Sequence, residues 1–392
     1  MDEISLRQEL LKGEDSSRQF KREFTEAKKL AAEIAAFLNS EGGRIYVGVE
    51  DDDSISGLTA DQIGQLNQLV SNVSTQNIQP PASVLTENVA TSDGTVLVIK
   101  VDEGVDKPYQ TSDGYFWVKR GSDKRRVTSR SELARLFQAG HSVYAEACRV
   151  PGSSIADLDA PLFEKFYQTK YGSDAPEDDA LERELTALKI LVDNQLSVAG
   201  ALLFGRNPER LLPAFAVKAV WFKGNERAGT EYHDNRRFDG TIAEQYEQAM
   251  AFCRKWNSRI QADDSFNSPS TAEIPELVFE ELLTNALVHR DYFIQDSIKL
   301  FIFDDRIEIR SPGSLPNSLT VEQMRRGVRR DRNPVIASFG NDLMQYRGLG
   351  SGVVRAIKHV PDLQIEEDDE AEEVVVTIPL PPSQNEGEGD AK

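Results

Sequence analysis

The 392-residue chain reads as an α+β protein of two or three domains. Three observations predict this. A stretch of helical period gives way to a strand near the N-terminus. Alternating strands form a hairpin in the last third. Between them, helical runs mix with a single alternating strand, and no internal repeat organises the whole.

The elements follow in order. Leu30, Ile34 and Leu38 recur at four-residue spacing, which predicts a helix over Ala27–Asn39 that Gly42-Gly43 stops. Arg44–Glu50 reads as a strand, and Asp51–Asp53 as the turn after it. Strands are expected at Val96–Val101 and Tyr115–Arg120, the second announced by Asp113-Gly114, with Tyr115 and Trp117 in the core. Ser131–Gln138 reads as a short helix with Ser131 as its N-cap. In the middle of the chain, Pro161–Tyr171 and Asp179–Asp193 read as helices, Ala214–Phe222 as a strand and Ile242–Trp256 as an amphipathic helix. Asp263–Ser270 has linker composition. Pro275 opens a helix that runs to His289. Ile298–Phe303 and Arg306–Arg310 form a hairpin across Asp304-Asp305, and alternation of Ile307 and Ile309 with charges predicts one solvated face for the second strand. Ser311–Pro316 ends it, a basic loop follows, and Val353–His359 reads as a helix. The domains expected are 1–145, a connector at 146–270, and 271–381, with a disordered acidic tail at 382–392.

Composition excludes several classes. Net charge is −20, against a uniformly basic nucleic-acid surface. Base is concentrated locally, at Lys119, Arg120, Lys124, Arg125 and Arg126, and again at Arg325, Arg326, Arg329, Arg330 and Arg332. The first cluster is expected on a loop, where it neutralises several phosphates of a bound DNA; such binding weakens steeply with salt. Cys148 and Cys253 lack metal or disulfide spacing, and no apolar run approaches the ~20 residues of a membrane helix, so a cytoplasmic protein without a membrane partner is expected.

The last third carries the chemistry. Glu281, Asn285 and His289 are four apart and share one helix face, while Leu282, Leu283, Ala286 and Leu287 fall largely on the others. Ser311-Pro312-Gly313 follows the hairpin. Gly348-Leu-Gly350-Ser-Gly352 precedes a helix, where backbone N–H groups can approach phosphate oxygens.

Together these elements resemble the GHKL superfamily of ATP-binding domains, over residues 271–380. The resemblance implies an α/β sandwich that binds ATP and Mg²⁺. It implies that Asn285 ligates the Mg²⁺, that Glu281 activates the attacking water, and that Gly348, Gly350 and Gly352 wrap the phosphates. The nucleotide-contacting set so implied is Asn285, His289, Ser311, Gly313, Arg347, Gly348, Gly350, Ser351 and Gly352, with the basic loop as a lid. In one respect the chain departs from the family: Ser311 stands where an aspartate usually binds the adenine amino group, and a hydroxyl accepts more weakly than a carboxylate. The first segment, through Phe37-Leu-Asn-Ser-Glu-Gly-Gly-Arg-Ile-Tyr-Val-Gly-Val49 and Tyr115–Gly121, resembles the Schlafen-type, Alba-like domain. That implies DNA binding, and the pair of domains resembles transcriptional regulators, for which a homodimer is plausible. Two alternatives remain open. One is a nucleotide-gated nuclease of a defence type using Glu14, Glu23 and Asp51, for which Gln19 is a poor metal ligand. The other is a non-catalytic scaffold with a degenerate ATP site.

Overall fold

The helix expected at Ala27–Asn39 spans those residues in the computed structural model, which describes residues 1–50, 52–140, 143–227, 231–263, 274–315, 319–344, 352–368 and 370–380. The chain divides into two units, Met1–Val143 and Tyr144–Lys392.

The first unit runs α1 (Glu3–Leu10), β1 (Arg18–Lys21), α2 (Ala27–Asn39), β2 (Gly43–Val47), α3 (Ala60–Asn72), β3 (Ile78–Gln79), β4 (Leu85–Thr91), β5 (Gly94–Val101), β6 (Gln110–Thr111), β7 (Trp117–Arg120), β8 (Asp123–Arg126) and α4 (Arg130–Ala139). Its main sheet has the order β1-β2-β5-β4, with β1 parallel to β2 and the other pairs antiparallel. The alternation in β2 sends Ile45 and Val47 to one face, where Leu30, Ile34, Phe37 and Leu38 of α2 cover them. Tyr46 points to the other face, against Leu6, Leu10 and Phe20. The turn out of α2 needs glycine. Gly42 has φ +74, its N–H donates to the Phe37 carbonyl at 3.0 Å, and a Cβ there would lie 2.7 Å from Val101 O.

Asn39 explains part of the motif before that turn. Its Nδ2 donates to the carbonyls of Tyr109 (2.7 Å) and Trp117 (2.9 Å), and its Oδ1 accepts from Tyr109 N–H at 2.7 Å. One buried amide thus ties the end of α2 to the chain on either side of β6. Two sequence expectations are corrected in this unit. The N-cap of α4 is Ser129 rather than Ser131, because Ser129 is extended and stands three residues before Glu132, whose N–H it accepts at 3.1 Å. Tyr115 is not in the core: it is 38% exposed.

The second unit runs α5 (Ala160–Tyr171), α6 (Asp178–Ala187), β9 (Leu191–Val192), β10 (Gln195–Leu196), α7 (Val198–Phe204), α8 (Pro208–Leu211), β11 (Val217–Phe222), β12 (Tyr232–Phe238), α9 (Ile242–Asp263), α10 (Glu276–His289), β13 (Ile298–Ile302), β14 (Arg306–Pro312), α11 (Val321–Arg325), α12 (Pro334–Leu343), α13 (Gly352–His359), β15 (Gln364–Asp368) and β16 (Glu373–Pro379). Among the described residues its large sheet has the order β12-β11-β13-β14-β16-β15, parallel only between β11 and β13. Residues expected in the connector therefore supply β11, β12 and α9 to the same sheet and core as residues beyond 274. The rings of Phe163, Phe166, Phe204 and Phe339 join the two stretches further. The helix expected over Asp179–Asp193 ends at Ala187. Asp193 and Asn194 take φ of 47 and 62, the pair of positive values that a tight hairpin between β9 and β10 demands.

The solvated face expected for β14 is also corrected. Glu308 and Arg310 are 5% and 9% exposed. Glu308 accepts from Arg306 Nε at 2.7 Å and from Arg310 Nε at 2.8 Å, and Arg310 reaches Glu373 of β16 and Asp368 of β15, each at 3.3 Å. Lys299 of β13 closes the ladder on Glu373. Buried charges survive because every one has a partner of opposite sign.

Replacing Asn39 with Ala leaves the Tyr109 N–H without its acceptor, and a buried polar group stranded this way costs about 1–3 kcal/mol. Urea denaturation of the variant should show a lowered midpoint at unchanged m-value; an unmoved midpoint means that water replaces the amide without cost.

Candidate functional site

Helix α10 is apolar nearly all round. Val278, Phe279, Leu282, Leu283, Ala286, Leu287 and Val288 are buried, and Glu281, Asn285 and His289 form a half-buried polar stripe. The stripe faces a cleft of about 980 Å³, including its solvent-open mouth. The opposite wall is Ser311 and Ile309 of β14, Gly352 and Arg355 of α13, and the arginines Arg329, Arg330 and Arg332. Met324, Val328 and Leu319 make an apolar side.

The stripe is held in place at the C-terminal end of α10. A helix leaves its last four carbonyls without internal partners. Here side chains supply donors to all of them. Ser311 Oγ donates to the Ala286 carbonyl at 3.2 Å, and Tyr292 Oη to Leu287 at 2.8 Å. Asn333 Nδ2 donates to Val288 at 2.8 Å and also to Arg290 at 2.9 Å. Arg332 Nη1 donates to His289 at 3.4 Å, while its Nη2 donates to Ser314 at 2.7 Å. The guanidinium also places a positive charge at the negative end of the helix. Asn333 and Arg332 are themselves fixed by α12, whose first turn is capped from afar. The Glu146 carboxylate accepts from Val335 N–H at 2.7 Å and Ile336 N–H at 2.8 Å. Burial pushes the Glu146 carboxyl up to about 7, against the pull of those two N–H groups.

Several expected site residues thus meet in one place: Glu281, Asn285, His289, Ser311 and Gly352 all line the cleft. Gly313 stands behind its wall, at φ +110, with room for a Cβ denied by Asp291 Cβ at 2.6 Å and Arg332 Nη1 at 2.7 Å. Arg347, Gly348, Gly350 and Ser351 lie outside the described residues, as do Asp51, the stretch 264–270 of the expected linker and the tail from 382. Asn285 Nδ2 donates to the Glu281 carbonyl at 2.6 Å, which leaves its oxygen as the atom available to a ligand. Glu281 is paired with Arg355, a cleft residue that the sequence reading missed. Burial pushes His289 down to about 4, with Arg329 and Arg332 acting in the same direction against Asp331, so the imidazole is neutral at pH 7. The basic stretch is more ordered than the expected loop. Arg325 lies in α11 and donates to the Leu363 carbonyl at 2.6 Å, Arg329 pairs with Asp331 at 2.6 Å, and Arg332 is buried.

In the first unit the basic cluster expected on a loop occupies the hairpin β7–β8, with Lys119 opposite Lys124 and Val118 opposite Arg125. Most of its charge is engaged. Lys124 pairs with Glu33 and Arg125 with Glu132. Lys119 donates to Gln19 Oε1 at 2.7 Å and Ser122 O at 2.6 Å, and burial pushes its ammonium below the usual lysine range. Arg126 lies over the Tyr115 ring at 3.5 Å and the Trp117 ring at 5.4 Å. Arg120 is exposed. Glu14 accepts from Gln19 Nε2 and from Phe20 N–H, the latter at 2.6 Å, and Glu23 is exposed. Among the described residues no group of three or more His, Cys, Asp and Glu side chains is placed to hold a metal ion, and no helix is long and apolar enough to cross a membrane.

The pH dependence of stability tests the burial of His289. Its folded pKa of about 4 lies below the unfolded 6.5, so the unfolded chain takes the proton first. The stabilisation is fully present above 6.5 and is lost as pH falls toward about 4. Glu146 runs oppositely: its contribution is present below 4.5 and is lost as pH rises through about 7. Thermal melts of His289→Gln should lose less stability than the unsubstituted chain between pH 6.5 and 4; parallel profiles would mean that His289 titrates freely when folded.

Comparison with known proteins bears on the two ends of the chain. Residues 14–128 match the family model described as "Schlafen, AlbA_2". Residues 295–378 match the model described as "Putative ATP-dependent DNA helicase recG C-terminal". The two matches bear out the expected pairing of a Schlafen/Alba-type domain with a GHKL-type domain, one DNA-associated family and one ATPase-like family. The second match includes Ser311 and Gly352 but begins after α10, so Glu281, Asn285 and His289 stand on the structure alone. Among solved structures, the DIP2311 protein of Corynebacterium diphtheriae is 24% identical over 94% of this chain at a TM-score of 0.45, and the chain spans 65% of that protein's length. The N-terminal domain of a "Putative ATP-dependent DNA Helicase RecG-related Protein" from Nitrosomonas europaea is 20% identical over 32% of this chain and 94% of that domain, at a TM-score of 0.24. No curated protein matches the chain.

Proposed function

We propose that the chain is a DNA-binding regulator whose C-terminal domain binds ATP with Mg²⁺ and whose DNA affinity answers to that occupancy. The observation that carries this reading is the meeting of the α10 polar stripe with the first residue of α13 across one cleft. The residues present fit the ligand. One Asn285 N–H is used on the helix backbone, and the amide oxygen is a hard donor of the kind a divalent cation takes. Gly352 brings bare backbone to the cleft at the start of a helix, where the dipole favours phosphate. Arg329 and Arg330 line the cleft and offset negative charge from above. At the far end, the Ser311 hydroxyl donates its hydrogen bond to the Ala286 carbonyl, so toward a ligand it offers only lone pairs. A purine amino group is a donor and suits that acceptor. Mg²⁺ would supply neutralisation of phosphate charge.

For DNA, the β7–β8 hairpin offers Arg120 in the open and Arg126 stacked on aromatic rings. These contacts position a backbone and read no sequence. Repression or activation of transcription from such a contact, in a cytoplasmic homodimer, is the setting this reading expects. A nuclease has less support, because Glu14 is already held by the Gln19 amide and the Phe20 N–H.

Two measurements test the proposal. Calorimetric titration with Mg·ATP should show binding, and Asn285→Ala should weaken it by about tenfold or more, about 1.4 kcal/mol. Equal affinity in the two chains removes Asn285 from the site. Fluorescence anisotropy with duplex DNA at rising salt should give a log–log slope of about −0.9 per phosphate contact, made shallower by about one contact each in Arg120→Ala and Arg126→Ala. A salt-independent affinity would show that the hairpin is not an electrostatic contact.

A further inference from the structure

We infer that Arg355 is a positioning residue that pins Glu281 against α13, so that the cleft holds its nucleotide without turning it over. The inference rests on the nucleotide reading above and adds to it the fate of the bound ligand.

One oxygen of the Glu281 carboxylate is bonded to Arg355, and the other is packed against α13. Oε1 accepts from Arg355 Nη2, with the two side chains only 12% and 28% exposed. Oε2 lies against Gly352, so close that a Cβ on that glycine would overlap it. The first turn of α13 therefore binds the carboxylate through Arg355 and packs against it at Gly352. Hydrolysis asks something different of Glu281. The oxygen of a water must form a bond to the γ-phosphorus while the bond from that phosphorus to the β–γ bridging oxygen breaks. The electron pair of the broken bond leaves with ADP, and the water's proton passes to a carboxylate oxygen with a lone pair aimed at it. A carboxylate held by a guanidinium in a charge-assisted bond has its direction set by that bond, here toward α13, and must leave it to aim a lone pair at a water elsewhere. Partial burial makes the pair costly to break, because opening it strands one charge in the wall of the cleft.

The grip is also single-pronged. Arg355 Nε is buried without a hydrogen-bond acceptor among the described residues, so one nitrogen alone makes the bond to Glu281. A lysine can keep the charge but not this reach from the side of α13, which makes Arg355→Lys a graded test.

The experiment uses the full chain, with Mg·ATP binding followed by calorimetry and phosphate release followed at steady state. The unsubstituted chain is expected to bind Mg·ATP with little turnover. Arg355→Ala should raise kcat by about 10²-fold, the scale of a positioned general base, with KM changed by less than about twofold. Arg355→Lys should fall between. Adding Glu281→Gln to Arg355→Ala should erase the gain, and with it the acid limb of the pH–rate profile. Binding without any rise in kcat on removal of Arg355 overturns the inference and leaves the nucleotide reading intact. A gain that survives Glu281→Gln also overturns it, as does a joint fall in affinity and kcat, which would place Arg355 on the phosphates. Absence of binding in the unsubstituted chain overturns both readings.

Discussion

The C-terminal end of α10 is the constraint on which the rest of the second unit depends. Five peptide carbonyls, from Ala286 to Arg290, converge there without helical partners, in a region too buried for water to serve them all. Donors arrive from a strand (Ser311), from the following turn (Tyr292) and from the approach to α12 (Arg332 and Asn333). The four donors come from three different stretches of chain. Satisfying the helix end therefore fixes β14, the turn after α10 and the start of α12 relative to one another. The same bonds set the rotation of α10 about its axis and point Glu281, Asn285 and His289 at the cleft. Glu146 extends this chain of dependence to residues far earlier in the sequence by seating the first turn of α12.

Much of this was legible in the sequence, and the reason is periodicity. The α2 helix and strands β2 and β5 announce themselves through spacing of apolar residues that local sequence alone controls. The stripe on α10 was legible for the same reason, since Glu281, Asn285 and His289 recur at four-residue spacing between Leu282, Leu283, Ala286, Leu287 and Val288. What escaped depends on partners distant in sequence. The charged side of β14 looked solvated because Glu373, Asp368 and Lys299, which neutralise it, come from other strands. Arg355 reads as one surface charge among several on α13, and nothing local marks it as the partner of a glutamate 74 residues earlier. The basic stretch before α12 looked like a loop because the two bonds that order Arg332, to His289 and Ser314, are carbonyl contacts with no sequence signature. The misplaced cap of α4 is a smaller case: Ser129 and Ser131 are both plausible, and only the offset to Glu132 decides between them.

The two units handle charge in opposite ways. In the second, ion pairs are interior to a sheet face and arranged so that opposite signs alternate along β14 and across to β16. In the first, the β7–β8 hairpin keeps its bases near the surface and tethers most of them to single acids or rings. The pairs differ in cost: Lys124 holds the buried Glu33 and could leave it only by stranding that carboxylate, whereas Arg126 rests on rings and has no acid to abandon among the described residues.

Ser311 performs a task that an aspartate at this position is unable to perform. A carboxylate has no proton to offer the Ala286 carbonyl, and its negative charge would confront the negative pole of α10. The serine thus closes the helix floor and still lines the cleft above it. The lining of the cleft and the rigidity of the scaffold are coupled at this one hydroxyl, so a change made to alter the first would be felt in the second.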